Sequence, residues 1–304
     1  MRHFIEPNGL TNEEYLELID TGLDIAENPK KYAKRLDGYL LGSLFFEPST
    51  RTKFSFDAAM LRLGGQVIGF SDTNSTSSKK GESLADTIKV MSGYVDIIAM
   101  RHPNEGAALL ASNYSRVPII NGGDGGHQHP TQTLTDLITI KHYKGTLEGH
   151  TIALIGDLKY GRTVHSLIKT LARFNTKKFC LVSPKELRMP QSILDYMAEH
   201  HPDIEITEHF NIEDVLPEAD ILYMTRIQKE RFFNEADYLK LKNSFLFDME
   251  KMNAAKEDAI LLHPLPRVNE ISTDVDHDPR AVYFEQARFG MYIRMALILK
   301  LLEA

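Results

Sequence analysis

Residues 46–52 combine hydroxyl groups with an arginine at a point where a short apolar run gives way to a helix-like pattern. Ser49, Thr50 and Thr52 offer hydroxyl donors, and Arg51 offers a guanidinium. Backbone N–H groups at a helix start attract anions, and a guanidinium fits a phosphate group well. The segment therefore favours a phosphate site, with an ordinary helix cap by Ser49 as the alternative.

Two further motifs in the first half of the sequence carry groups that polarise oxygen atoms. Arg101 follows the apolar run 95–100, although a surface salt bridge would also explain it. His129 precedes Pro130, which favours a first helical turn, and Gln132 follows on the same face. An imidazole and an amide so placed can donate hydrogen bonds to a carbonyl oxygen, and simple capping is the alternative. A zinc site with His127 is disfavoured, because no cysteine or third ligand has suitable spacing.

The second half contains three segments in which candidate ligand-binding residues directly follow an apolar run. Residues 156–163 nearly match the phosphate loop of nucleotide hydrolases, and Asp248 after an apolar triplet resembles their second motif. However, Arg162 stands where that loop needs lysine, and a single arginine at a helix start suits a carboxylate equally well, so the hydrolase is a remote alternative. Arg226 and Gln228 follow another run, and residues 263–267 form a turn with two prolines.

The elements that must position these side chains alternate along the chain. Short apolar runs predict strands, and longer segments with apolar residues at helical spacing predict helices between them. This alternation predicts an α/β protein of two domains, each a mostly parallel sheet with helices on both faces. The predicted strands cover 39–46, 66–70, 95–100, 117–120, 151–155, 178–182, 204–207, 221–225 and 259–262, and the predicted helices cover 51–63, 82–91, 105–114, 130–141, 163–174 and 284–302.

A glycine-rich loop, 121–126, marks the expected division between the domains. We expect residues 1–128, with the C-terminal helix 284–304, to form the first domain and residues 129–283 to form the second. In parallel sheets, ligands bind beyond the carboxyl ends of the strands, which is where each motif falls.

Composition limits the classes of function. The chain has 304 residues, a formal net charge of −7 and no basic stripe, so a nucleic-acid partner is not expected. One cysteine cannot form an internal disulfide, and the N-terminus lacks the apolar core of a signal peptide. No apolar run reaches the roughly 18 residues of a membrane span. We expect a cytoplasmic protein without membrane contact.

In this order, the motifs resemble those of the aspartate and ornithine carbamoyltransferase family over essentially the whole chain. The match rests on Ser-Thr-Arg-Thr at 49–52, Met-Arg-His-Pro at 100–103, His-Pro-Thr-Gln at 129–132 and His-Pro-Leu-Pro-Arg at 263–267. The resemblance implies transfer of the carbamoyl group of carbamoyl phosphate to the amine of L-aspartate, an early step of pyrimidine synthesis, without a cofactor or metal. Ornithine is the alternative acceptor, but a cysteine near the position of Pro264 would be expected for it.

The resemblance also implies a role for each matching residue. Those that would act on carbamoyl phosphate are Ser49, Thr50, Arg51, Thr52, Arg101, His129 and Gln132. Those that would hold aspartate are Arg162, Arg226, Gln228, Leu265 and Pro266. Arg51, Thr52, Arg101, His129 and Lys80 would be catalytic.

Further implications of the resemblance concern neighbouring chains and domain closure. Lys80 and Thr76 would reach the site of an adjacent subunit, in a homotrimer with shared active sites. A solvated lysine pair, Lys79 and Lys80, is the simpler interpretation of that loop. Glu47 would bridge to Arg162 and Arg231 when both substrates are bound. Whether regulatory chains join a larger assembly is left open.

Overall fold

The computed structural model describes residues 2–71, 81–126, 129–227 and 245–303. The chain forms two compact units. Residues 1–138 together with 288–304 make the first unit, and residues 139–287 make the second. The chain crosses from the first to the second unit within one helix and returns within another.

The first unit contains a four-stranded parallel sheet in the order β2-β1-β3-β4. Its central strands are buried because apolar side chains fill both faces, as parallel sheets covered by helices require. The strands are β1 (Leu40–Phe45), β2 (Gln66–Phe70), β3 (Ile97–His102) and β4 (Ile119–Asp124). The helices are α1 (Asn12–Glu27), α2 (Pro29–Tyr32), α3 (Thr50–Arg62), α4 (Leu84–Met91), α5 (Ala107–Tyr114) and the start of α6 (Pro130–Lys144).

The second unit contains a five-stranded parallel sheet in the order β7-β6-β5-β8-β9. Every residue of the central strand β5 is buried. The strands are β5 (Thr151–Ile155), β6 (Lys178–Val182), β7 (Glu205–His209), β8 (Ile221–Met224) and β9 (Ile260–Leu262). The helices are α7 (Arg162–Ala172), α8 (Gln191–His200), α9 (Met249–Ala254) and the start of α10 (Tyr283–Leu302).

The predicted α/β architecture with two parallel sheets is confirmed, and each of the nine predicted strands is present. The structure adds helices that the strand-helix pattern did not predict, among them α1 and α8. Helix α1 begins with a reciprocal capping box, in which Thr11 accepts from the Glu14 N–H and Glu14 accepts from the Thr11 N–H. Thr followed three residues later by Glu is a readable start signal in the sequence.

The segment expected as a glycine-rich loop is largely strand, because β4 continues through Asp124. Hydrogen bonds of the Asn121 side chain hold this glycine-containing strand end in place. The Asn121 amide donates to the Ile5 carbonyl at 2.9 Å and to Asp124 at 3.0 Å, and its oxygen accepts from the Gly123 N–H at 2.8 Å. The glycines predicted a loop at 121–126, but hydrogen bonds of polar residues keep 121–124 in strand β4.

The C-terminal helix α10 is apolar on most sides, and its residues from Arg288 onward belong to the first unit. Within the described residues, no helix combines the length and apolar character that crossing a membrane requires.

We predict that Asn121→Ala destabilises the protein by about 2–4 kcal/mol, because the half-buried Ile5 carbonyl and the buried Gly123 N–H lose their hydrogen bonds. Urea unfolding should show a lower midpoint with an unchanged slope. Asn113→Ala, at an exposed position on α5, is the matched control and should leave the midpoint within experimental error. Equal midpoints for the two variants would contradict the role of Asn121.

Candidate active site

The turn between β1 and α3 carries the first group of candidate residues. Ser49 precedes α3 with an extended φ of −157°, and its side chain makes no capping hydrogen bond. The first turn of a helix leaves its N–H groups without an acceptor inside the helix. Thr52 is buried in this turn, whereas Thr50 and Arg51 are exposed. The alternative of a Ser49 cap is therefore wrong, and the helix start remains suited to an anion.

Arg101 lies at the end of β3, directly beside the end of β1, where it pairs with Phe45. Its Nε donates to the Glu47 carboxylate at 2.6 Å, and both side chains are largely shielded from solvent. A Cβ on Gly123, whose φ is +126°, would stand 3.2 Å from Arg101 Nη1. Glu47 and the bare backbone of Gly123 thus hold the guanidinium in one orientation at the sheet edge.

His129 is buried and precedes α6, the element that follows β4. Gln132 lies in the first turn of α6, and its Nε2 donates to the buried Asp136 at 2.7 Å. Because Asp136 holds the amide nitrogen, the amide oxygen of Gln132 faces away as an acceptor. Asp136 occupies one N–H of the Gln132 amide and leaves its oxygen as an acceptor. The expected donation by His129 and Gln132 to a carbonyl oxygen stays a prediction, with acceptance by Gln132 as the alternative.

In the second unit, the loop after β5 uses its backbone N–H groups internally. Gly156 N–H donates to Val182, Asp157 N–H to the Thr225 hydroxyl and Leu158 N–H to Leu187. The N–H groups of Tyr160 and Arg162 are also bonded, to Asp157 and Tyr160 respectively. A phosphate loop needs such groups directed at its ligand. This geometry argues against the nucleotide-hydrolase alternative.

Parallel pairing places the ends of β5, β8 and β9 next to one another. Ile155 pairs with Met224, and Tyr223 pairs with Leu262. Arg162, which begins α7 after the β5 loop, and Arg226, which follows β8, are both half-buried. The strand order thus directs two arginines and the turn after β9 to one edge of the sheet.

The turn after β9 is held by a buried pair, His263 and Glu270, joined at 2.8 Å. The Leu265 N–H donates to His263 Nδ1 at 2.8 Å, so Nε2 carries the proton that meets Glu270. Leu265 has a φ of +53°, and the Leu265–Pro266 bond is cis. Burial alone would raise the pKa of Glu270, but hydrogen bonds from His263 and the Val268 N–H lower it.

The described candidates therefore form two groups. At the edge of the first sheet lie Ser49, Thr50, Arg51, Thr52, Arg101, His129 and Gln132, and at the edge of the second lie Arg162, Arg226, Leu265 and Pro266. Outside the described residues lie Thr76, Lys80 and Gln228, together with His127 and Arg231.

Sequence reasoning missed two buried charges of the first unit, Asp136 and Arg294. Each is an ionisable residue within a locally apolar stretch of its helix, Leu-Thr-Asp-Leu-Ile and Tyr-Ile-Arg-Met-Ala. Such residues are almost never buried without a partner. This break in the apolar pattern was the available signal.

Among the described residues, one group could offer three ligand atoms to a metal: Cys180, His209 and Glu218 in the second unit. Lys178 Nζ lies 3.0 Å from both carboxylate oxygens of Glu218. Burial also raises the pKa of the Cys180 thiol to about 11. An ammonium ion and a protonated thiol oppose a cation, so we assign no metal to this group.

Two family models cover nearly the whole chain. The model for the carbamoyl-phosphate-binding domain of aspartate/ornithine carbamoyltransferases matches residues 2–142, and the model for the aspartate/ornithine-binding domain matches residues 148–301. The chain belongs to the aspartate/ornithine carbamoyltransferase family.

Individual relatives lie on the aspartate side of the family. The aspartate carbamoyltransferase catalytic subunit of Clostridium novyi is 61% identical, over 99% of this chain and 98% of that protein. Among solved structures, the catalytic subunit of M. jannaschii aspartate transcarbamoylase superposes with a TM-score of 0.94 at 50% identity, covering 100% and 98% of the two chains. The Trypanosoma cruzi enzyme in complex with N-(phosphonacetyl)-L-aspartic acid gives 0.88 at 40% identity, covering 98% and 94%.

We predict that Glu270→Gln lowers the free energy of unfolding by about 2 kcal/mol at pH 7, because a charged acceptor of three hydrogen bonds is lost. A folded-state pKa below the ordinary 4.5 means that this stabilisation is complete above pH 4.5 and is lost as pH falls through the lowered value. Urea unfolding at pH 7 and pH 3.5 measures it. The exposed Glu257→Gln is the control, and a difference that does not shrink with acid would refute the assignment.

Proposed function

We propose that this chain is a carbamoyltransferase that joins carbamoyl phosphate to L-aspartate and releases N-carbamoyl-L-aspartate and phosphate. The observation that carries the proposal is the full-length similarity to proteins named aspartate carbamoyltransferase catalytic subunits. The two groups of anion-binding residues at the sheet edges support it. Carbamoyl phosphate carries a phosphate and aspartate two carboxylates. A protein with a net charge of −7 therefore needs local groups of positive and hydrogen-bond-donating residues to bind them.

Carbamoyl phosphate is assigned to the first unit. Ser49, Thr50, Arg51 and Thr52 surround the start of α3 and would bind the phosphate group through hydroxyl, guanidinium and backbone donors. Arg101, fixed on its Nε side by Glu47, would present its other N–H groups to substrate oxygens.

The carbamoyl group itself is assigned to the residues at the start of α6. His129 would donate to the carbonyl oxygen. Gln132, whose nitrogen is held by Asp136, would accept from the carbamoyl NH₂ with its oxygen. A donor for the oxygen and an acceptor for the nitrogen together distinguish the two ends of a carbamoyl group.

Aspartate is assigned to the second unit. Arg162 and Arg226 would each bind a carboxylate through paired N–H bonds, with Gln228 as a further contact. The carbonyl groups of Leu265 and Pro266, in the turn held by His263, would accept hydrogen bonds from the amine. This contact would orient the amine before it reacts.

The reaction then needs no electron sink. The neutral amine attacks the carbonyl carbon, negative charge grows on the carbonyl oxygen, and the C–O bond to phosphate breaks. Thr52, Arg51, Arg101, His129 and the Lys80 of a neighbouring chain would stabilise the charged oxygens, so that positioning and electrostatics supply most of the rate. The departing phosphate accepts the amine proton, which removes the need for a side-chain base.

An acceptor assay tests the proposal. The purified protein is given carbamoyl phosphate with L-aspartate or L-ornithine in parallel, and ureido products are measured by colour. We expect product with aspartate and none above background with ornithine, in agreement with the relatives' names. Turnover of ornithine, or of neither amine, would overturn the proposed function.

For the aspartate site, we predict that Arg226→Lys raises the KM for aspartate by about tenfold to a hundredfold. Lysine keeps the charge but loses the paired hydrogen bonds, worth roughly 1.5–3 kcal/mol. Steady-state kinetics should show little change in the KM for carbamoyl phosphate. Arg280→Lys, which alters an arginine paired with Asp278 in the same unit, is the control. An equal increase for both substrates would contradict the assignment.

We also propose that the chain works as a homotrimer in which Thr76 and Lys80 complete the neighbouring chain's site. The first unit offers a suitable contact surface: on α3, Phe54 and Leu61 are 64% and 59% exposed, and Ile68 is 40% exposed on β2. Phe54 and Leu61 are seven residues apart and share one helix face. β2 is an edge strand that leads into the segment with Thr76 and Lys80. Head-to-tail donation closes as a ring of three.

Subunit mixing tests shared sites. Lys80→Ala and Arg51→Ala chains, each inactive alone, are dissociated, mixed equally and reassembled. Donation between chains predicts that about a quarter of the sites regain both intact parts, since random rings pair the chains independently. The control mixes wild-type chains with the double variant. No recovery in mixed trimers verified by mass would show that each chain uses its own loop.

A further inference from the structure

Arg294 is a cation enclosed within the first unit. It lies on α10, only 4% of its surface is exposed, and its guanidinium stands 5.1 Å from the centre of the Phe56 ring. Burial lowers its pKa to about 10, against the opposing effect of the Asp136 charge. The group is still charged at neutral pH, so the fold keeps a full positive charge inside the unit.

The hydrogen bonds of Arg294 join three helices. Nη1 donates to the Ser55 hydroxyl of α3 and to the Gly290 carbonyl of α10, both at 2.9 Å. Nη2 donates to the Thr131 hydroxyl of α6 at 3.2 Å. A hydrogen bond from a charged donor is worth roughly twice a neutral one, so these links are strong for their number.

The backbone leaves space for this cation. A Cβ on Gly290 would stand 2.7 Å from Arg294 Nη1 and 3.1 Å from the Thr135 hydroxyl. No side chain fits at that position unless the guanidinium moves. The site is thus built around the charge, whose burial without such contacts would be costly.

The three links end next to the residues assigned to carbamoyl phosphate. Ser55 is three residues beyond Thr52 on α3, one helical turn further along. Thr131 stands between His129 and Gln132. Asp136, whose charge acts on Arg294, holds the Gln132 amide. Arg294 therefore sits behind the starts of both α3 and α6, on the side away from solvent.

We propose that Arg294 is a positioning residue that fixes the starts of α3 and α6 relative to each other for binding carbamoyl phosphate. It touches no substrate; it acts through Ser55 and Thr131. The inference rests on the proposed function, because it concerns the same site.

Arg294→Lys is the principal test, because lysine keeps the charge but cannot reach three acceptors in the same planar arrangement. We expect the KM for carbamoyl phosphate to rise about tenfold or more, while the KM for aspartate at saturating carbamoyl phosphate changes less than about threefold. Calorimetric titration with inorganic phosphate should show a matching loss of affinity. Arg280→Lys, in the second unit, controls for loss of an arginine that is bonded to Asp278 and to the carbonyl of Lys256.

Two milder variants keep the test informative if Arg294→Lys does not fold. Ser55→Ala and Thr131→Val each remove one acceptor, and each should raise the carbamoyl phosphate KM by about threefold to tenfold. Folded variants with wild-type KM and wild-type phosphate affinity would overturn the positioning role. Equal losses for both substrates would also overturn it, since they would indicate a general structural effect. A wild-type protein without carbamoyltransferase activity would instead refute the proposed function, and phosphate titration would still test Arg294.

Discussion

Parallel pairing is the constraint on which the rest of this structure depends. In each sheet every strand runs in the same direction, so every strand ends at the same edge. Segments far apart in the sequence, such as 46–52 and 101–103, become neighbours because β1 and β3 pair residue by residue. The hydrogen bonds of the ladder thus specify which side chains meet, before any ligand is present.

A second constraint arises because an acidic chain must bind two acidic molecules. The formal net charge of −7 gives no general attraction for anions, so local groups must supply it. In the first unit, Glu47 orients Arg101 and Asp136 orients Gln132. These acids lower the local positive charge but fix the direction of the Arg101 guanidinium and of the Gln132 amide. Orientation in advance favours binding, because it reduces the ordering that binding would otherwise require.

The strands and most of the candidate residues could be predicted from the sequence, because short apolar runs and motif spacing are local signals. The length of β4 could not, since it depends on how Asn121 reaches Ile5, 116 residues earlier in the chain. Likewise, the motif containing Gln132 revealed its place but not its direction, which Asp136 decides. The contacts of Arg294 could not be predicted from the sequence, because its partners lie on α3 and α6 and only the folded chain brings those helices to it.

The two loops that begin α3 and α7 have similar local sequences but use their backbone donors differently, and the proposed function assigns them different anions. Both follow a buried strand and both carry an arginine in the first helical turn. At α3, Ser49 leaves the helix start uncapped, so backbone donors and the arginine can act together on a phosphate. Before α7, the loop uses the N–H groups of residues 156–158 on Val182, Thr225 and Leu187, so the proposal assigns ligand binding there to the Arg162 guanidinium. A guanidinium alone can bind the two oxygens of a carboxylate through paired N–H bonds. The proposed assignment of phosphate to the first unit and carboxylate to the second therefore rests on where the loop backbone hydrogen bonds go, which motif matching alone does not reveal.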